Sequence, residues 1–175
     1  MATLTSMHLK SRLRIGVVGY QFKLADNRCD LNWLWLDVGS VHRGDGDKPA
    51  RLRALSWELA DLAAALDEVA DRTRSQWHSR LMDSGLSLSV ERHADRGSAF
   101  VVVAAINTIG GPLAADTELE WNGDRAEATN GSVHALRMVC SPSALRVFAV
   151  ELREDLRDFP VRLLPKNRLH LGQPH

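Results

Sequence analysis

The chain has 175 residues, and its 22 Lys and Arg residues balance 22 Asp and Glu residues, so its formal net charge at pH 7 is zero. This balance disfavours a protein that mainly holds a nucleic-acid backbone or anchors to a membrane surface, because both tasks need clustered excess positive charge. Hydrophobic residues make up 45% and charged residues 25% of the chain, proportions typical of a globular domain with its own core.

Motifs of catalysis, metal binding or nucleotide binding do not occur in the sequence. The two cysteines, Cys29 and Cys140, are too few for a disulfide framework. The seven histidines are scattered without HxH or HExxH spacing. We therefore expect no metal, no cofactor and no catalytic residues. Because the N-terminal residues also lack the apolar run of a signal peptide, we expect a cytoplasmic protein.

The first third of the chain predicts three strands. Residues 1–11 read as a polar leader, and the alternation of apolar residues that follows predicts a strand over 13–22. Residues 31–36 are apolar on both faces, which is typical of a central strand covered on both sides. The glycines and aspartates of 44–47 predict a hairpin loop, with 52–55 as its return strand.

The first helix is the best-defined element of the sequence. Ser56 is the predicted N-cap, and apolar residues follow it at three- and four-residue spacing. This stripe consists of Leu59, Leu62, Ala63, Leu66, Val69 and Ala70. The opposite face is acidic and carries Glu58, Asp61, Asp67, Glu68 and Asp71. These carboxylates would suit a positive groove on a partner protein, and the alternative is an ordinary solvated helix face.

The second half of the chain predicts further strands. Alternation predicts a strand over 86–91, and the apolar run 100–106 predicts a buried neighbour. Gly110-Gly111-Pro112 breaks the pattern, and strands follow over 117–121 and 133–140. An antiparallel meander fits these spacings.

A second helix closes the pattern and sets the fold class. Ser141 as N-cap and Pro142 at the first helical position predict its start, and Phe159-Pro160 its end. Its apolar face consists of Leu145, Phe148, Ala149, Leu152 and Leu156. The matching spacing of the two helices suggests two related strand-strand-helix halves. We expect an α+β fold with antiparallel sheets and two helices packed against them, as one domain over 12–164 with a flexible tail at 165–175.

Three stretches carry a resemblance to a known family. Gly19-Tyr20-Gln21-Phe22 is followed by Asp30-Leu31-Asn32-Trp33-Leu34, then by Trp57-Glu58-Leu59, and then by Ser141-Pro142-Ser143-Ala144-Leu145 at the start of the second helix. Together they resemble the WapI-type immunity proteins over residues 13–160. Lys23 departs from the pattern, since proline is expected after the tyrosine-glutamine-phenylalanine stretch.

The resemblance implies an antitoxin. Its partner would be a cognate toxin domain, a nuclease of the tRNase kind from a wall-associated, contact-dependent toxin, and it would act by protein–protein occlusion without catalysis. The family-matching residues are Tyr20, Gln21, Asp30, Asn32 and Trp33. They either form an aromatic, polar contact surface or hold the start of a strand, with Trp33 or Trp35 filling the core.

Other readings stay open beside this one. The spacing of Asp116, Glu118 and Glu120 places three carboxylates on one side of a strand, with Asp124 just beyond it. Such a row suits a cation or a basic partner, or it is an exposed edge strand with repelling charges. A binding or adaptor domain with an unrelated partner is one rival function, and an enzyme is the other. An enzyme would assemble its site from dispersed residues such as His93, Asp95, Glu118 and Glu120.

Overall fold

A computed structural model describes residues 1–8, 10–22, 27–42, 47–81, 85–109, 113 and 117–162. Within these ranges the chain forms two antiparallel sheets and three helices. The first sheet contains β1 (Ala2–Thr5), β2 (Ser11–Tyr20), β3 (Trp33–His42) and β4 (Lys48–Leu55). The second sheet contains β5 (Gln76–Arg80), β6 (Leu86–Arg92), β7 (Phe100–Asn107), β8 (Leu119–Asn122), β9 (Arg125–Ala128) and β10 (Val133–Cys140). The helices are α1 (Arg28–Asn32), α2 (Ser56–Ala70) and α3 (Pro142–Arg157).

The order of the strands confirms the α+β class and corrects the predicted meander. The first sheet pairs its strands in chain order, β1-β2-β3-β4, whereas the second has the order β5-β6-β7-β10-β9-β8. After β7 the chain therefore crosses to the far edge at β8 and then returns strand by strand until β10 pairs with β7. Residues 110–112 and 114–116, which lie on this crossing, fall outside the described residues.

The two long helices, α2 and α3, join the halves of the chain into one core. α2 and α3 pack against each other, α3 lies against β1 and β2 of the first sheet, and α2 contacts β5 and β6 of the second. Each long helix therefore crosses to the sheet of the other half, and the buried core cluster draws residues from both sheets and both helices. Each half runs from a sheet into a helix, as predicted, but one sheet has four strands and the other six.

The start of α2 differs from its prediction in the capping residue. Leu55 occupies the N-cap position, and its backbone N–H donates to a carboxylate oxygen of Glu58 at 2.8 Å. Ser56 is buried, and its hydroxyl lies 3.4 Å from the amide oxygen of Asn32. The carboxylate of Glu58 thus satisfies an N–H at the helix start and complements the helix dipole there. The six residues of the predicted apolar stripe are all buried.

α3 follows its prediction closely at the start. The hydroxyl of Ser141 accepts a hydrogen bond from the backbone N–H of Ala144 at 3.1 Å, and Pro142 is the first helical residue. Four of the five predicted core positions are buried, and Leu156 packs against the core while half-exposed. The helix ends at Arg157, two residues before Phe159. The predicted tail at 165–175 lies outside the described residues.

Two predictions for the first third of the chain are wrong. The predicted polar leader contains β1, whose residues Ala2 and Leu4 are buried against the core as β1 pairs with β2. The predicted strand over 31–36 begins two residues later, because the side chain of Asn27 accepts from the Asp30 N–H at 2.8 Å and caps the short helix α1. Burial alternates from Trp33 to Val38, so this part of β3 is covered on one face only.

Two further features complete the fold. The predicted hairpin is confirmed by the antiparallel pairing of β3 with β4, while residues 43–46 at its tip lie outside the described residues. β5 has no counterpart among the predictions, because its short sequence lacks an apolar alternation. In the described part of the chain, none of the helices combines the length and the apolar character that crossing a membrane requires.

Candidate functional site

The acidic face of α2 lies beside α3, and two of its carboxylates pair with arginines of that helix. Asp67 lies 2.5 Å from Nη1 of Arg153, and Asp71 lies 2.6 Å from Nη2 of Arg146. Each arginine also donates to a backbone carbonyl of α2, at 3.1 Å and 3.3 Å respectively. These contacts cross-link the two helices at their exposed edge and neutralise part of the charge that the sequence placed there.

The other carboxylates of this face have separate surroundings. Glu68 lies 3.2 Å from a guanidinium nitrogen of Arg74, just beyond the helix, and Glu58 accepts the N–H of Leu55 as described above. Asp61 is exposed and has no arginine partner among the described residues. The face that sequence analysis treated as a row of five acids is therefore mostly a set of intramolecular pairs. Its role as a partner surface stays a prediction.

Asn32 of the family motif lies inside the molecule and holds the chain that follows α3. Its side chain is 0% exposed. The amide nitrogen donates to the carbonyl of Arg162 at 3.1 Å, and the amide oxygen accepts the N–H of Arg162 at 2.6 Å. One buried side chain thus satisfies both backbone groups of a residue 130 positions away. This two-point contact fixes the segment 159–162 against the first sheet.

Tyr20 contributes to the same contact from the end of β2. Its ring lies edge-on to the ring of Phe159, with centroids 5.6 Å apart and planes inclined at 73°. The guanidinium of Arg162 lies 3.4 Å from the centroid of the Tyr20 ring, and the Tyr20 hydroxyl donates to the carbonyl of Pro160. We call Tyr20, Asn32, Phe159, Pro160 and Arg162 the motif clamp.

The remaining motif residues before Trp33 are engaged in local hydrogen bonds. The backbone N–H of Gln21 donates to the carbonyl of Trp33 at 2.8 Å. The carboxylate of Asp30 accepts from the side-chain amide of Asn27 at 2.5 Å, and this pair belongs to the cap of α1. Gln21 and Asp30 thus connect the end of β2, α1 and the start of β3.

Trp33 is half-exposed at the start of β3, whereas Asn32 before it is buried. Leu34 and Leu36 of β3 face the core, so the side chains of Trp33 and Trp35 alternate with them on the outward face and are half-exposed. The interpretation that one of these tryptophans fills the core is therefore wrong. The guanidinium of Arg53 lies 5.6 Å from the ring centroid of Trp33.

Charged side chains of β4 continue this outward face. Arg53 lies directly opposite Trp35, and Arg51 lies opposite Asp37. Two guanidinium nitrogens of Arg51 contact the two carboxylate oxygens of Asp37 at 2.9 Å and 3.2 Å. The hydrogen bonds to Asp37 raise the pKa of Arg51 above its ordinary value. We call Trp33, Trp35, Asp37, Arg51 and Arg53 the Trp–Arg face.

Open space adjoins the Trp–Arg face where β2 presents a glycine. Gly19 pairs with Trp35, and a Cβ placed on Gly19 would meet no atom within 4 Å. A register shift between Val17 and Gly19 leaves Val18 as an extra residue, and this side chain is 47% exposed. One flank of Trp35 is thus open, next to an exposed aliphatic side chain.

The far end of the same face carries two more arginines. Arg14 forms an ion pair with Asp47, and Arg12 is exposed two residues earlier on β2. Gly39 lies beneath that ion pair, because a Cβ there would come within 2.9 Å of the Asp47 carboxylate and 3.0 Å of the Arg14 guanidinium. Arg51 and Arg53 are the residues that sequence reasoning missed, because their relation to Trp33 and Trp35 depends on the register of β3 with β4.

The acidic row near β8 has a mixed outcome. Glu118, Glu120 and Asp124 are exposed, while Asp116 lies outside the described residues. Trp121, between them, lies on the opposite face of β8, where the guanidinium of Arg137 is 4.4 Å from its ring. Within the described ranges, no three His, Cys, Asp or Glu side chains lie close enough together to hold a metal ion.

The residues proposed for a dispersed enzyme site are not brought together. His93 accepts the N–H of Asp95 at 3.2 Å in the connection after β6. Glu120 belongs to β8, four strand positions from β6 in the second sheet, which corresponds to roughly 19 Å.

Cys140 is buried in the core. Burial raises the pKa of its thiol to about 12, so the thiol is protonated near neutral pH and is a poor nucleophile. Cys140 therefore serves as a core residue.

Outward tryptophans and arginines on an otherwise polar sheet face are the side chains most enriched where proteins bind other proteins. The model of the Immunity protein WapI-like family matches residues 5–160 of the chain. The chain belongs to this family. The match includes both parts of the motif, the helices α2 and α3, and the strands β2, β3 and β4. Membership suggests a role in toxin immunity that is not enzymatic. No curated protein and no solved structure matches the chain.

Proposed function

We propose that this chain is an immunity protein that binds a cognate toxin domain in the cytoplasm and neutralises it by occlusion. The observation that carries the proposal is the family match over residues 5–160, because it spans almost every described element of the fold. The outward surface supports it, since half-exposed Trp side chains beside Arg side chains suit protein binding. We propose further that the toxin is a nuclease.

Rigid binding suits this fold. The core cluster joins both sheets and both long helices, and the motif clamp ties the segment after α3 to the first sheet. A surface held in one conformation loses little side-chain and backbone freedom on binding, which favours tight complexes. A catalytic role is not needed, because occlusion depends only on the stability of the complex.

The proposal is tested with the purified chain and the toxin domain encoded beside its gene. A titration measures the Kd and the stoichiometry, and cleavage of an RNA substrate by the toxin is followed at the same concentrations. We expect one-to-one binding, with toxin activity falling in proportion to the fraction bound. An unrelated nuclease of similar charge serves as the control. Binding without inhibition would make the chain an adaptor, and no binding would contradict the proposal.

A further inference from the structure

We propose that the Trp–Arg face is the surface that contacts the toxin domain, and that it meets a patch of carboxylates on that domain. This inference rests on the function proposed above and names the partner chemistry of the site. It is carried by three features of the outward side of the first sheet: its side-chain types, its charge and the open space at Gly19.

The side-chain types are those that dominate binding energy. Trp33 and Trp35 stand two residues apart on β3 and are half-exposed, while Arg51 and Arg53 stand opposite them on β4. Alanine scanning of protein interfaces finds the largest losses at Trp, Tyr and Arg, near the centre of a contact. A four-stranded sheet that keeps two indoles on its outward face therefore presents a preformed centre for a partner.

The charge of this side is positive although the whole chain is neutral. On β2, β3 and β4 and at Asp47 just before β4, four arginines face outward against two aspartates. Asp37 and Asp47 pair with Arg51 and Arg14, which leaves Arg12 and Arg53 without a carboxylate partner in the part of the chain that is described. Complementary potentials guide association, so the fitting partner surface is acidic.

The positive charge of the Trp–Arg face limits which part of the toxin domain it can contact. The groove in which a nuclease holds its substrate is basic, because it must contact phosphates. A positive immunity surface is repelled by such a groove. The Trp–Arg face therefore fits a region of the toxin beside the substrate groove, from which the rest of the immunity protein blocks access.

A single-stranded nucleic acid is the other ligand that aromatic and basic side chains on a sheet can bind. Base stacking needs open aromatic faces. The guanidinium of Arg53 lies over Trp33 and that of Arg162 lies over Tyr20, so of the two tryptophans of the face Trp35 keeps an open flank. Asp37 also places a carboxylate in the middle of the surface. These contacts favour a protein partner, and nucleic-acid binding becomes an outcome of the test.

Gly19 offers a way to block the face without disturbing the fold. A side chain there would enter open space beside Trp35, and the backbone of Gly19 does not have the positive φ that requires glycine. We expect Gly19→Gln to fold like the unmodified chain and to bind the toxin domain at least about 10-fold more weakly, because its side chain would stand beside Trp35 where the partner has to pack. Gly97 is equally open and lies in the connection between β6 and β7, so Gly97→Gln is the matched control.

A second pair of variants tests whether the positive charge of the face contributes to binding. Arg51→Gln with Arg53→Gln removes two positive charges from the face, and Arg92→Gln with Arg157→Gln removes two exposed charges elsewhere. The first pair should slow association several-fold and flatten its dependence on salt concentration, whereas the second should leave both unchanged. Circular dichroism and urea unfolding check that all four variants fold.

The outcomes separate this inference from the proposed function. If the unmodified chain binds and inhibits the toxin but Gly19→Gln and the Arg51/Arg53 pair do so equally well, the Trp–Arg face is overturned and toxin immunity stands. If the unmodified chain does not bind the toxin, both fail. If it instead binds a single-stranded RNA oligonucleotide, and Gly19→Gln abolishes that binding, the face belongs to nucleic acid and the proposed protein contact is wrong.

Discussion

The acidic face of α2 and the motif clamp both contain polar side chains that contact a distant part of the same chain, but they differ in burial. The carboxylates of Asp67 and Asp71 meet arginines of α3 at the surface, where each partner is at least one-third exposed. Asn32 makes its contacts with no exposed surface at all. Water screens the exposed ion pairs and is excluded from the amide hydrogen bonds of Asn32, so the two sets of contacts differ in energetic weight.

The difference shows how to read polar residues in this sequence. The acidic helix face is conspicuous because it holds five charges within fourteen residues, yet its pairs contribute little each. Asn32 is a single neutral side chain, yet it determines where the segment 159–162 lies. Trp33, the next residue, faces outward, so neighbouring motif positions separate into one that maintains the fold and one available for binding.

The largest effect is expected for Asn32→Ala. The variant removes both bonds to the Arg162 backbone and leaves a small cavity, so the free energy of unfolding should fall by about 3 kcal/mol. Urea unfolding measures it, with Gln76→Ala as the control because that amide is exposed on β5. A loss for Asn32→Ala no larger than that of the control would show that the clamp does not hold the fold.

Tyr20→Phe sharpens the same point with a smaller change. The variant keeps the ring against Phe159 and removes the hydroxyl that donates to the carbonyl of Pro160, so about 1 kcal/mol of stability should be lost. Hydrogen exchange of the Arg162 amide, which bonds to Asn32, should become faster together with this loss. Unchanged exchange at Arg162 would mean that Tyr20 and Asn32 act independently.

The long helices and β1 show which elements a sequence pattern can and cannot predict. The core faces of α2 and α3 were predicted correctly because helical spacing of apolar residues is local information. β1 was missed because four residues give too short an alternation; its place comes from pairing with β2 and from Glu151 of α3, whose carboxylate accepts the Thr3 N–H at 2.7 Å.

The candidate site was predictable in part for the same reason. The family resemblance drew attention to Asn32 and Trp33, but their difference in burial depends on where α1 ends and β3 begins. The arginines that neutralise α2 lie more than seventy residues further along the chain, and only the packing of α3 on α2 brings them close. Cross-strand partners such as Arg53 require the strand register, which composition and periodicity do not contain.

A double-mutant cycle on Asp67 and Arg153 tests the weak side of the comparison. Asp67→Asn and Arg153→Gln, alone and together, should give a coupling energy of about 0.5 kcal/mol, because both side chains are partly exposed. Repeating the urea unfolding in 1 M salt should reduce the coupling further. A coupling comparable to the loss for Asn32→Ala would erase the distinction between the two regions.

The smallest effect is expected for Asp61→Lys, and it decides between the two candidate surfaces. Asp61 is the exposed carboxylate of the α2 face that lacks an arginine partner among the described residues, so a toxin that used this face would lose an attraction and gain a repulsion. If the toxin instead binds the Trp–Arg face on the outward side of the first sheet, the Kd should stay within about two-fold of that of the unmodified chain, since exposed charges far from a contact are screened. A titration at low and at physiological salt measures this, beside the Arg51/Arg53 pair. A large loss for Asp61→Lys with no loss for that pair would return the contact to α2, because the first substitution changes the charge of α2 alone and the second changes the charge of the first sheet alone.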